Sequence, residues 1–327
     1  MSDNLGIMTG GLSRVARNKR YIVWFWLLNL TLAEFGTAAF RNSAHAIMDH
    51  SLLGDRLVHG FSLGVMLELF ARPEFGQFSA PGLTSMFFAF LFFVATALFL
   101  PGVFAGYAST YRLPRDDFFR ACGRNLWRFI RLMLVSGIVM AIIAGILFAI
   151  NGAMVAKAGE STSELLPVRL QIAGLALIFL VMTTLRIWFD LAEADVVLND
   201  QRAIRKSVAS AFRHTFRGLF RLLFSYVLIT FVAAVILMGG LWAWMRLVAP
   251  ASILGALLVA QFTLYLLLIP RFWQRGVAVS YWQQKMLAPV VVAPLVIPAP
   301  VVEPPPPAPE PVEPPAPAAG EAPASSV

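Results

Sequence analysis

Arg120-Ala-Cys-Gly-Arg-Asn-Leu-Trp-Arg-Phe-Ile-Arg131 runs directly into an apolar stretch that begins at Leu132. Its arginines, Arg120, Arg124, Arg128 and Arg131, recur every third or fourth residue, so a helix carries them on one face. The arrangement occurs twice more. Arg14, Arg17 and Arg20 precede the apolar run from Tyr21, and Lys206, Arg213, Arg217 and Arg221 precede the run from Leu222. A basic helical lead-in followed by a long apolar run, three times over, reads as an all-α, polytopic membrane helix bundle.

Composition agrees. Of 327 residues, 58% are hydrophobic and 13% charged. Soluble domains carry about a quarter of their residues as charges, so this surface is expected to face lipid. The lone cysteine, Cys122, excludes an intramolecular disulfide and a cysteine-based metal site. A net charge of +8 would suggest nucleic acid in a soluble protein. Here the charge gathers beside apolar runs, and anionic lipid headgroups are the expected partner instead of nucleic acid.

An apolar run of about 20 residues crosses a bilayer. Six are predicted: 21–40, 84–108, 131–151, 170–189, 222–245 and 251–270. With the N-terminus in the cytoplasm, the inner segments hold 19 of the 26 Lys and Arg residues and the outer ones six, with Arg186 inside the membrane. That asymmetry places both termini in the cytoplasm. All eight tryptophans fall near span ends, where an indole is half wet and its N–H finds a partner. Residues 1–20 read as a cytoplasmic basic arm, 21–288 as the transmembrane domain, and 289–327 as a tail. The first span resembles a signal sequence, but its long basic region and the five spans that follow predict that it is retained. The tail contains 14 of the 21 prolines and is expected to be extended and disordered.

The linkers between spans are expected to be amphipathic helices lying in the inner interface. Pro114, Asp116 and Asp117 make a good helix start. Phe118, Phe119, Cys122, Leu126 and Phe129 then form an apolar face opposite the arginines. Residues 121–134 and 211–224 share this pattern at an offset of 90, with Ala121 matching Ala211 and Arg131 matching Arg221. The chain therefore reads as three hairpins, each with a basic lead-in.

The stretch Asp190-Leu-Ala-Glu-Ala-Asp-Val-Val-Leu-Asn-Asp-Gln-Arg-Ala-Ile-Arg-Lys-Ser207 through Arg217 resembles a linker in a loose group of bacterial six-helix membrane proteins. That group includes the membrane domain attached to some glycerophosphodiester phosphodiesterases. The shared features are the apolar Val196–Leu198, a turn at Asn199–Asp200, then Ala203, Ser207 and a basic helix. The resemblance implies an integral protein of the bacterial cytoplasmic (inner) membrane. The phosphodiesterase activity is not carried over, because only the proline-rich tail follows span six.

Polar residues in the spans supply the other candidates. Glu34 lies deep in span one, near Asn29 and Thr31; ionisable groups at such depth often mark a pathway. Pro101 and the pair Gly102/Gly106 suggest a kink and close packing in span two. Together these support an alternative reading as a small-solute permease. Arg186 and Asp190, four apart, can pair. With Glu193, Asp195 and Asp200 they are expected to dock the following basic linker. In the first outer loop His45 and Asp49, and Asp55 and His59, have a spacing that could hold zinc on a helix. No HExxH motif is present, and no metal or cofactor is expected. Phosphate-binding, dinucleotide and GxSxG motifs are absent too. The leading expectation is a non-enzymatic membrane protein. It would engage anionic phospholipid, a membrane partner or a second copy through Arg120, Arg124, Arg128, Arg131, Lys206, Arg213, Arg217 and Arg221.

Overall fold

The computed structural model describes residues 2–48, 80–160, 165–201, 203–248 and 252–286. Within them the chain forms eight α-helices and no strand. They are α1 (Ser2–Arg17), α2 (Lys19–Met48), α3 (Ala80–Ala108), α4 (Arg115–Gly159), α5 (Leu165–Leu198), α6 (Ile204–Arg217), α7 (Leu219–Leu247) and α8 (Ile253–Tyr281). A single π-helical turn, Trp282–Met286, continues α8. Helices α3, α4, α5, α7 and α8 are long and apolar enough to cross a membrane. The first expected span, 21–40, falls on α2. The proline-rich tail lies outside the described residues.

Neighbouring helices pair as α2 with α3, α4 with α5 and α7 with α8, and α1 crosses α8. The buried core lies toward the basic ends of these pairs. One cluster joins Tyr21, Phe104, Phe118, Phe129 and Phe272; the other joins Ile7, Leu132, Ile187, Leu191 and Tyr226. The apolar windows of α4 and α5 bury only 0% and 6% of their residues. Surfaces that greasy are stable only against lipid or another apolar body.

Two chain breaks and one continuity separate the three lead-ins. Asn18 interrupts the first: its side-chain amide donates to the Arg14 carbonyl at 3.1 Å and to the Gly106 carbonyl at 3.5 Å. Gly218 interrupts the third, between α6 and α7. The middle lead-in has no break. Pro114 precedes the first helical residue, Arg115, and α4 then runs 45 residues without interruption. The expected separate interfacial helix over 111–131 is therefore corrected. Its residues belong to the same helix as the next span, and the position matching Gly218 is Arg128, a good helix former. At 1.5 Å per residue α4 is about 68 Å long, more than twice the roughly 30 Å hydrocarbon core. Buried positions nonetheless agree across the repeat: Asn125 and Thr215 are both fully buried, as are Leu132 and Leu222.

Close approaches rest on glycine. A Cβ on Gly102 would meet Phe118 and Cys122 of α4, at 2.5 and 2.6 Å, and one on Gly106 would strike the Tyr21 ring of α2. The small pair in α3 thus seats two different neighbours, and α3 continues as a helix through Pro101. The N-terminal arm is likewise a packed element. Ile7, Met8 and Val15 of α1 are buried, and the Trp273 indole N–H donates to the Met8 carbonyl at 2.9 Å.

Candidate functional site

The three basic stripes have different partners. In the first, Arg14 donates to the Tyr107 carbonyl at 3.1 Å and to Gln283 Oε1 at 2.7 Å. Arg17 donates to the carbonyls of Thr110 and Ser109, and Arg20 to that of Leu113. This stripe holds the α3–α4 connection. In the second, Arg128 meets Asp200 Oδ1 at 2.5 Å and Arg124 stands 4.0 Å from the same oxygen. Arg120 pairs with Asp117 at 3.3 Å, and Arg131 lies over the Trp127 ring at 4.8 Å. The stripe therefore clamps the turn where Asp200 adopts a positive φ of 49°. In the third, Lys206, Arg213 and Arg217 are exposed and make no ion pair among the described residues.

The third stripe ends at a cavity. Gly218 separates α6 from α7, and a Cβ there would strike the Tyr281 hydroxyl, which donates to the His214 carbonyl at 3.1 Å. Around this break a cavity of about 560 Å³ is lined by His214, Arg217, Arg221, Lys285 and Tyr281. Phe216 and Phe220 form its apolar rim, and Phe220 is 88% exposed. Three permanent cations thus converge from two helices and the π-helical turn. Burial holds the His214 imidazole below its ordinary range, and the neighbouring Arg213 and Arg217 charges add to this. Geometry of this kind suits an anionic headgroup: cations at the centre, aromatic rings at the lipid edge.

A second polar group lies inside the bundle. Asp190, Glu193 and Asp195 at the end of α5 are all buried, as is Arg275 on α8. The Tyr226 hydroxyl of α7 donates to Asp190 Oδ2 at 2.9 Å and lies 3.1 Å from the Gln274 carbonyl. Gln274 Nε2 donates to Thr230 Oγ1 at 3.1 Å. Asp195 accepts from Asn199 at 2.7 Å and from the Trp282 indole at 3.2 Å. Arg186 and Asp190 approach to 3.9 Å, as their spacing predicted. The expectation that these acids dock the following linker is corrected for Asp190 and Asp195. Asp190 is held by α7, and Asp195 by its own helix end and the turn after α8. Asp200 has arginine partners on the preceding basic lead-in, Arg124 and Arg128 of α4.

Sequence reasoning missed Tyr226 as the partner of Asp190, and Gln274 and Arg275 as its neighbours on α8. A usable signal was present: Arg271, Gln274 and Arg275 form an i, i+3, i+4 polar set after an apolar run. Glu34 sits exposed on α2. Asp49, Asp55 and His59 and the side chain of His45 lie outside the described residues. Among the described residues no three His, Cys, Asp or Glu side chains gather as metal ligands. Compared with protein-family models, curated proteins and solved structures, the chain matches none.

Proposed function

We propose that this is a six-span, non-enzymatic protein of the bacterial cytoplasmic membrane that holds an anionic phospholipid headgroup at the α6–α7 junction. The convergence of Arg217, Arg221 and Lys285 on one cavity rimmed by exposed phenylalanines carries this reading. A basic group near an anionic surface contributes roughly 1 kcal/mol, so three together supply a few kcal/mol. Both termini and all three basic lead-ins lie on the cytoplasmic side by the positive-inside rule. Within the proposal the first two stripes anchor loops, and the third meets lipid. The likeness of residues 190–217 to the six-helix group fits a role in the membrane.

His214 reports on the site directly. Its imidazole is held down by burial and by adjacent cations, so a bound phosphate beside it should move its titration up toward the ordinary histidine range of about 6.5. NMR titration of His214 in detergent, with phosphatidylglycerol and then with phosphatidylcholine, reads this. An upward shift with phosphatidylglycerol alone is expected. No shift, or equal shifts with both lipids, would contradict an anion site at the junction.

A further inference from the structure

We infer that the cleft between α2 and the α3–α4 corner takes one acyl chain of an anionic phospholipid from the basic leaflet, whose phosphate rests on Arg115. The cleft is separate from the α6–α7 junction and has a volume of about 590 Å³. Phe25, Leu28 and Leu32 of α2 form one wall, Phe99 of α3 and Phe119 of α4 the other. Its one polar uncharged lining residue, Thr31, donates its hydroxyl to the Leu27 carbonyl at 2.9 Å. That donor is therefore already engaged, and the cleft offers an alkyl chain an apolar channel.

Depth and charge identify the occupant. From Trp24 to Leu32 the lining spans eight helical steps, about 12 Å of rise. One leaflet of hydrocarbon is about 15 Å deep, so the cleft matches an inner-leaflet chain. Arg115 stands at its basic end, exposed and without an ion pair or hydrogen bond among the described residues. A second cation is close: the Arg20 guanidinium lies 5.8 Å over the ring of Trp24, another lining residue. Of the two acids in the same turn, Asp117 pairs with Arg120 at 3.3 Å, and Asp116 is turned about 100° around the helix from Arg115. A zwitterionic lipid would bring its own cation to this mouth; an anionic one brings the missing counter-charge.

The test uses the full chain with Arg217→Gln, Arg221→Gln and Lys285→Gln, which neutralises the α6–α7 junction. Native mass spectrometry then follows added phosphatidylglycerol. One phosphatidylglycerol should remain bound in this background. Adding Arg115→Gln should weaken it about fivefold, with Arg115→Lys restoring most of the loss. Thr31→Trp, which fills the cleft and leaves Arg115 in place, should abolish it. Glycerol phosphate, a headgroup without chains, should not compete. Binding unchanged by both Thr31→Trp and Arg115→Gln overturns the site, as does equal binding of phosphatidylcholine. If the background variant keeps every lipid of the wild type and only the cleft variants lose one, the junction reading fails while this one stands.

Discussion

Replacing Arg275 by Met should cost about 1–3 kcal/mol of stability, the range for removing a buried group whose charge balances buried polar neighbours. Arg275 and Glu193 are each only 7% exposed, and Asp190 is equally buried. The guanidinium lies within electrostatic reach of both carboxylates. Methionine fills similar space but removes the most deeply buried cation near them, leaving Arg186 beside Asp190. The double change Glu193→Gln with Arg275→Met removes one charge of each sign and should recover most of the loss. In detergent the single variant should melt on the order of 5 °C below the wild type. Equal melting temperatures would mean that Arg275 does not balance the α5 acids.

Gly11→Val should release α1 from α8. A Cβ at Gly11 would lie 2.8 Å from the backbone nitrogen of Val277, and one at Gly276 would lie 2.6 Å from the Gly11 carbonyl oxygen. Both obstacles are backbone, so no side chain can rotate away; overpacking of a tight contact costs about 1–3 kcal/mol. The loss falls on a helix whose buried residues, Ile7, Met8 and Val15, contribute on the order of 2 kcal/mol each. Limited trypsin digestion should cut the variant rapidly at Arg14 and Arg17. Gly6→Ala is the control, since a Cβ there meets nothing within 4 Å, and it should stay protected. Equal protection of all three proteins would show that the crossing does not depend on glycine.

Much of the helical layout is legible in the sequence, because apolar length and basic lead-ins are local signals. Five expected spans fall on helices of adequate length and apolarity. What was not legible depends on distant partners. Tryptophans were expected as half-wet anchors. Half-buried Trp188 and Trp273 donate their indole N–H groups to the Val208 and Met8 carbonyls, but Trp282 is buried and donates to Asp195. The second lead-in is continuous with its span and has Arg128 where the third has Gly218, a difference that the shared repeat pattern masked. The candidate site was half visible. Arg217 and Arg221 belong to the stripe, but Tyr281 and Lys285 arrive from the end of α8, some 60 residues later. No spacing rule joins groups at that separation. The same holds for Tyr226, whose hydroxyl reaches Asp190 across 36 residues.

The stripes also differ in a way that periodicity cannot show. Arg14, Arg124 and Arg128 have the same helical spacing as Arg213 and Arg217, yet the first group has protein partners. Positive charge near a membrane is necessary for lipid recognition, but charge already engaged with carbonyls and carboxylates has less to offer a headgroup. The third stripe has fewer such partners.

Native mass spectra of the gently extracted protein, recorded beside the Arg217→Gln, Arg221→Gln, Lys285→Gln variant, test the central claim most directly. The wild type should retain an anionic phospholipid that the variant lacks, at unchanged helix content. Equal retention in the two proteins would contradict a headgroup site at the α6–α7 junction.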